Sequence, residues 1–380
     1  MKFLFTVTDF DMGGITTSLK NLSSELVRRG HEVSILNLPN IKDNLNFDSH
    51  VTIIPLCGKA KYWQIGMEDY KKAKGIKKIS LLFFGIFKKA LSKFGLWEKF
   101  IFSAQPEIEC DIAIAYRQSS ICYYICKQKS TAKKTIAFIH SEFTGDCSSW
   151  LPYLGDIDRI ACVSDAWSTQ FKKTFPHLKD KVSTVYNLFD AEDLIKKSEQ
   201  YIPVEMDKNS FNLVTSARID FWQKRLYLIP EICNKLVNRG IHNFKWYLVG
   251  DGPDREKLEK IICDTKTENY IVLLGAKDNP YPYVKNANLF VLLSDWESYG
   301  MVVHESMILG TPILASKYPA LFEIMEDKVH GMITEKDIDS IVDGLIKLYC
   351  DNSLYSDLKN NCMNYSYSSD TVYNQLMKIC

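Results

Sequence analysis

The sequence predicts an α/β protein built as two doubly wound, Rossmann-like domains that face each other across a central cleft. Three observations carry this. A β-rich apolar run, a polar or glycine turn and a helical stretch alternate along the N-terminal half, and the rhythm restarts near residue 211. Most of the apolar runs are nearly continuous rather than alternating, as strands covered on both faces of a parallel sheet are. Between the halves, Lys196–Asn209 is polar and charged, contains Pro203, and reads as a linker.

In the first half, strands are expected at Lys2–Val7, Glu32–Leu38, Val51–Leu56, Asp111–Tyr116, Thr135–His140, Arg159–Ser164 and Val182–Asn187. Thr16–Arg29 reads as a helix that stops at Gly30, with Arg28 and Arg29 in the last turn, where cations suit the helix C-terminus. In the second half, strands are expected at Phe211–Arg218, Lys245–Gly250, Ile271–Gly275, Leu289–Ser294, Pro312–Ser316 and Met332–Thr334. Helices fit Arg225–Arg239, Asp254–Thr267, Gly300–Leu309 and Asp337–Tyr349. The expected domains are 1–195 and 205–364.

Composition narrows the function classes. The 380 residues are 46% apolar and 24% charged, which excludes global disorder. Lys plus Arg is 47 against Asp plus Glu 46, so no charge excess points to nucleic acid. The longest apolar run, Ile79–Phe87, falls well short of the ~20 residues of a spanning helix. The N-terminal apolar run is short and reaches Asp9 and Asp11, unlike a secretory signal. The eleven cysteines form no C-x-x-C pair, so free thiols in a reducing cytosol are expected rather than a zinc site.

Three motifs can carry chemistry. Asp11-Met12-Gly13-Gly14-Ile15 follows the first strand and opens a helix, where paired glycines permit close backbone approach and helix amides favour an anion. It lacks the G-x-G-x-x-G spacing of a dinucleotide site, which disfavours a dehydrogenase. Ser216-Ala217-Arg218, with Lys224 six residues on, closes a strand at the edge where open α/β sheets bind ligands. An Arg fork and a Lys point charge there could neutralise a pyrophosphate or could stand as solvated surface cations. The third runs from Ser294 to Glu305. It places Glu297 in a strand-to-helix turn, amides of the Gly300 region at a helix start, and Glu305 on the helix, where a carboxylate suits two ribose hydroxyls.

Together these motifs resemble the retaining glycosyltransferases of family 4, which have the GT-B fold. The resemblance covers nearly the whole chain. It includes Arg28-Arg29-Gly30-His31-Glu32-Val33, Val185-Tyr186-Asn187-Leu188-Phe189-Asp190, Arg218 with Lys224, Leu248-Val249-Gly250-Asp251-Gly252-Pro253, and Glu297 to Glu305 followed by Gly310-Thr311-Pro312. Two departures are mild: Ala217-Arg218 stands where the family has Gly-Arg, and Glu297-Ser298-Tyr299-Gly300 where it has Glu-Gly-Phe-Gly.

The resemblance implies an N-terminal acceptor-side domain, a C-terminal nucleotide-sugar domain, and a final segment 365–380 that crosses back onto the first. It implies a hexosyltransferase that uses a UDP- or GDP-linked sugar, no further cofactor, and a glycan or lipid-linked acceptor in cell-surface polysaccharide biosynthesis. Arg218 and Lys224 would bind the diphosphate, Glu305 the ribose, and Glu297 the transferred sugar. Gly14, Gly250, Tyr299, Gly300, Met301 and Val302 complete the donor contacts. His140, ending a strand in Phe138-Ile139-His140-Ser141-Glu142, would lie near the sugar. Asp9-Phe10-Asp11 looks like a metal-binding pair, but cations of the protein replace the metal in this fold, so no metal is expected.

From Lys59 to Lys99 the chain has eleven Lys against Glu68, Asp69 and Glu98, a net +8. Ile76, Ile79, Phe83, Ile86, Phe87, Ala90, Phe94 and Trp97 share one helical arc; Lys77, Lys78, Lys88, Lys89 and Lys93 share the opposite one. Such a segment fits a helix at an anionic membrane surface, or a domain helix that packs its apolar face inward. With the first, the enzyme is cytoplasmic and peripheral at the inner face of the plasma membrane. Two other readings of the chain stay open: a non-catalytic subunit on the same fold, and a nucleotide-sugar epimerase.

Overall fold

The computed structural model describes residues 1–10, 13–39, 46–65, 67–141, 143 and 147–380. Asp11 and Met12 of the glycine turn and Glu142 after His140 lie outside the described residues. The chain divides into two compact units, one of residues 1–163, 168–188 and 372–380, the other of residues 164–167 and 189–371.

The first unit holds a seven-stranded parallel sheet of β1 (Lys2–Val7), β2 (Glu32–Asn37), β3 (Thr52–Ile54), β4 (Ile112–Ala115), β5 (Lys134–Ile139), β6 (Arg159–Cys162) and β7 (Val182–Thr184). Its order is β3-β2-β1-β4-β5-β6-β7. β1 is an interior strand, between β2 and β4, with Phe3, Leu4, Phe5 and Val7 all buried, as the continuous apolar run requires. β7 ends at Thr184 rather than at Asn187; Asn187 turns its side chain to accept from Ser18 Oγ at 2.8 Å. The final helix Asp370–Ile379 buries Val372, Leu376 and Ile379 in this unit.

The second unit holds a six-stranded parallel sheet of β8 (Phe211–Ser216), β9 (Phe244–Val249), β10 (Ile271–Gly275), β11 (Leu289–Leu292), β12 (Ile313–Ser316) and β13 (Gly331–Thr334), in the order β10-β9-β8-β11-β12-β13. Leu213, Trp246, Leu289, Val291 and Leu314 form the middle of its core. The helix expected from Arg225 begins only at Ile229, because Arg225 takes a left-handed φ of 52° and a tight turn Leu226–Leu228 intervenes. All eleven cysteines are free. Both units are thus doubly wound, and the α/β class and Rossmann-like halves are as expected.

Candidate active site

In the second unit the strand order reverses between β8 and β11. Open α/β sheets bind ligands beyond the C-terminal ends of the strands at such a reversal. The loop leaving β8 carries Arg218 and enters the short Phe221–Lys224 helix; the loop leaving β11 spans 293–300 and carries Glu297. Asp220 caps the short helix by accepting from the Trp222 and Gln223 N–H groups at 3.0 and 3.4 Å. Asp295 N–H donates to Gln223 O at 2.8 Å, tying the two loops together.

Glu297 sits where they join. Its carboxylate accepts from Lys224 Nζ at 2.5 Å, Ser294 Oγ at 2.6 Å and Gln223 Nε2 at 3.2 Å. Lys224 is 17% and Glu297 11% exposed, so the pair is largely out of water. Several donors on one carboxylate are what makes a withdrawn ion pair tolerable. Arg218 differs: its side chain is 64% exposed and pairs with Asp220 at 2.7 Å. The two cations expected to share one diphosphate reach the same strand end, each with its own carboxylate.

The Met301–Ile308 helix starts after Gly300, whose φ is 97°. A Cβ there would meet Tyr318 Oη at 2.1 Å, so only glycine fits this turn. The helix's first turn offers amides at the sheet edge. One turn further, Glu305 accepts from Tyr281 Oη at 3.4 Å, and burial pushes its carboxyl up to about 7. The nearby Glu305 charge, followed by burial, in turn raises the Tyr281 hydroxyl.

Two residues expected to contact the donor have partners within the protein. The Tyr299 ring is buried and its hydroxyl bonds His304 Nε2 at 2.9 Å, so Tyr299 holds the turn rather than presenting its side chain to a ligand. His304 Nδ1 bonds Tyr365 Oη at 3.1 Å; burial pushes this imidazole down to about 3 and keeps it neutral. Gly250 has φ 146°, and a Cβ would meet Ala217 O at 1.9 Å. Its N–H is spent on Gly275 O at 2.8 Å, which leaves it a packing role between strand-end loops.

In the first unit, Gly14 opens the Gly14–Arg28 helix after an extended Gly13. Asp9 is ion-paired with Arg117. No group of three potential metal ligands occurs among the described residues. His140 follows β5, lies over the Tyr116 and Phe138 rings at 4.5 and 5.5 Å, and is 6% exposed. Burial, with a smaller push from Arg117, lowers it to about 3, and its Nε2 has no partner among the described residues. A neutral imidazole with a spare nitrogen can bond a hydroxyl.

The Lys59–Lys99 segment folds into a turn Gly58–Tyr62 and helices Met67–Lys72, Gly75–Lys93 and Trp97–Ile101. No residue of the Gly75–Lys93 helix is buried. This overturns the alternative in which its apolar face packs inward. Lys88 differs from the other four lysines of this helix. Its ammonium donates to Trp63 O and Ile65 O at 3.1 and 3.3 Å and lies over the Trp97 ring at 5.3 Å, and burial lowers its pKa. Lys77, Lys78, Lys89 and Lys93 are exposed. No described helix is long and apolar enough to cross a membrane.

Residues 198–365, covering the Lys224–Glu297–Glu305 constellation, match the family of glycosyl transferases group 1. Over 97% of this chain and 94% of the relative, the protein is 24% identical to an uncharacterized glycosyltransferase of Methanocaldococcus jannaschii. It is 22% identical to the UDP-Gal:alpha-D-GlcNAc-diphosphoundecaprenol alpha-1,3-galactosyltransferase of Escherichia coli, over 66% of this chain and 65% of that one. The crystal structure of Anabaena HepE in complex with UDP and glucose superposes with a TM-score of 0.69 at 16% identity, over 100% of this chain and 98% of HepE. The protein is therefore an enzyme, a glycosyltransferase of the GT-B fold. The matched family supports, more particularly, a group 1 glycosyltransferase.

Sequence reading missed Gln223, Tyr281 and the His304 bridge. Gln223 adjoins Lys224 and could have been flagged by adjacency. Tyr281 stands in an ordinary Pro-Tyr-Pro-Tyr stretch and carries no sequence signal.

Proposed function

We propose that the protein is a retaining glycosyltransferase of family 4 that moves a hexose from a UDP- or GDP-linked donor to a glycan or lipid-linked acceptor, in cell-surface polysaccharide biosynthesis. The observation that carries this is the Lys224–Glu297 pair at the β8/β11 reversal, beside a helix start and a carboxyl suited to ribose. Glu297 bonds hydroxyls of the transferred sugar, held in place by Ser294 and Gln223. Lys224, Arg218 and the amides of Gly300, Met301 and Val302 offset the charge that grows on the diphosphate as it leaves. Glu305 takes the ribose hydroxyls. By the family resemblance, the first unit's Gly14 would contact a phosphate and its neutral His140 a sugar hydroxyl. The anomeric carbon gains oxocarbenium character, as in glycoside hydrolysis. With the acceptor on the departing phosphate's side, substitution at the front face retains configuration.

No metal is needed on this reading: protein cations do its work, and Asp9 is committed to Arg117. The E. coli relative, a galactosyltransferase named for a diphosphoundecaprenol-linked sugar, supports a lipid-linked acceptor. Work at the inner face of the plasma membrane, from the cytoplasm, is part of the proposal.

A thermal-shift screen of nucleotide sugars in the presence of EDTA tests it. One UDP- or GDP-sugar is expected to stabilise the protein, by about 2.7 kcal/mol at 100 times its dissociation constant. Stabilisation by none of them, or only after manganese or magnesium is restored, contradicts the site or its metal independence.

A further inference from the structure

The Gly75–Lys93 helix exposes what a folded chain ordinarily covers. Ile76 is 87%, Phe83 67%, Ile86 58% and Ile79 57% exposed, with Leu82 and Phe87 close behind. Eight of the eighteen large hydrophobics exposed among the described residues fall between 76 and 96. A contiguous apolar face of this kind marks an interaction site.

The opposite side is occupied. Leu81, Phe84, Lys88 and Leu91 are partly covered; Phe84 meets the Trp97 ring edge-on at 5.6 Å, and Lys88 is bonded to the Trp63 and Ile65 carbonyls. The protein body thus fixes the helix by one side and turns the apolar side outward. At about 100° per residue, Lys78, Lys89 and Lys93 run along one border of that apolar side. The segment around it, Lys59–Lys99, carries net +8.

Charge complementarity selects the occupant. Large aliphatic and aromatic groups bordered by lysines match an anionic lipid interface, with acyl chains under the apolar side and headgroup phosphates at its edge. Five lysines within 19 residues forbid spanning, so the helix lies in the interface plane.

We propose that this helix inserts its apolar side, centred on Ile79, Phe83 and Ile86, into an anionic bilayer surface, with Lys78, Lys89 and Lys93 at the headgroups and Lys88 retained by the protein body. This rests on the membrane part of the proposed function and adds insertion, a fixed orientation and a smaller lysine set.

Co-sedimentation of the full chain with phosphatidylglycerol/phosphatidylcholine vesicles tests it, with pure phosphatidylcholine as control. Wild type is expected to bind anionic vesicles, and a fraction should persist at 0.5 M salt, where the Debye length is only about 4 Å. The triple variant Ile79→Asp, Phe83→Asp, Ile86→Asp should lose binding at least about tenfold and keep its melting temperature, since those side chains are already in water. Lys78→Glu, Lys89→Glu, Lys93→Glu should remove only the salt-sensitive part. Lys88→Met should leave vesicle binding unchanged and lower the melting temperature.

Binding of the apolar variant equal to wild type overturns insertion while leaving an electrostatic membrane contact in place. Absence of any wild-type binding at low salt overturns both. A wild-type dimer that the apolar variant turns into monomer, without vesicle binding, assigns the face to a second copy and overturns the proposal. A lowered melting temperature in the apolar variant shows the face is packed in solution and also overturns it.

Discussion

The 293–300 turn and the Gly75–Lys93 helix treat their side chains in opposite ways. In the turn, a carboxylate and an ammonium leave water, and three donors on Glu297 offset the loss. On the helix, large apolar groups stay in water, and no residue of the helix is buried by the described residues. The first cost is met internally, by bonds within the chain itself. The second is left open, which is the mark of a surface completed by something outside the chain. The difference separates two tasks: the turn organises chemistry, and the helix organises place.

The largest expected effect breaks the turn. Lys224→Ala should lower glycosyl transfer by about 10²–10³, the range for removing one electrostatic stabiliser of a developing anion. It should also destabilise the fold by about 3 kcal/mol, because Glu297 is left charged and short of a partner. Adding Glu297→Gln to Lys224→Ala should restore most of the stability and none of the activity, as urea melts and donor turnover would read. Arg218→Ala, at an exposed pair, should cost about tenfold in turnover and little stability. Equal effects of the two alanine variants would erase the distinction drawn between a withdrawn and a solvated cation.

A smaller effect sharpens the picture through pH. Glu305 has its carboxyl raised to about 7, and a ribose-binding carboxylate must be ionised. Nucleotide-sugar affinity should therefore fall as pH drops below 7, by up to about tenfold at pH 6. The stability sign is opposite. With the folded value above the ordinary 4.5, the protonated form is favoured on folding, so this group's destabilising contribution grows as pH rises from about 4.5 and is complete above 7. Tyr281→Phe removes a bond that holds the carboxyl down and should move the binding transition to higher pH. Calorimetric titration of the donor across pH 5.5–8.5 checks both; a flat profile removes Glu305 from the ribose.

Sheet architecture was legible because its signals are local. Every expected strand is present, since continuous apolar runs bounded by turns leave few alternatives in a parallel sheet. Ends were less legible where side chains redirect the backbone, as at Arg225 and Asn187. Charged site residues were visible through type and spacing, whereas their partners depend on which loops the fold brings together. Tyr281 reaches Glu305 from 24 residues away in sequence, and nothing in either segment announces it. Tyr299 could be read as a ligand contact until His304 claimed its hydroxyl. On the Gly75–Lys93 helix, periodicity identified the apolar arc but not which side meets the protein; only packing puts Lys88 inside and Phe83 outside.

The most direct test of the central claim is the anomeric configuration of the product. The full-length protein would be incubated with its stabilising nucleotide sugar and a glycan or lipid-linked acceptor in EDTA, and the new linkage followed by proton NMR as nucleoside diphosphate is released. The account predicts a product whose anomeric carbon keeps the donor's configuration, formed only when acceptor is present and abolished in Lys224→Ala. An inverted linkage, or an epimerised nucleotide sugar appearing without acceptor, would contradict it.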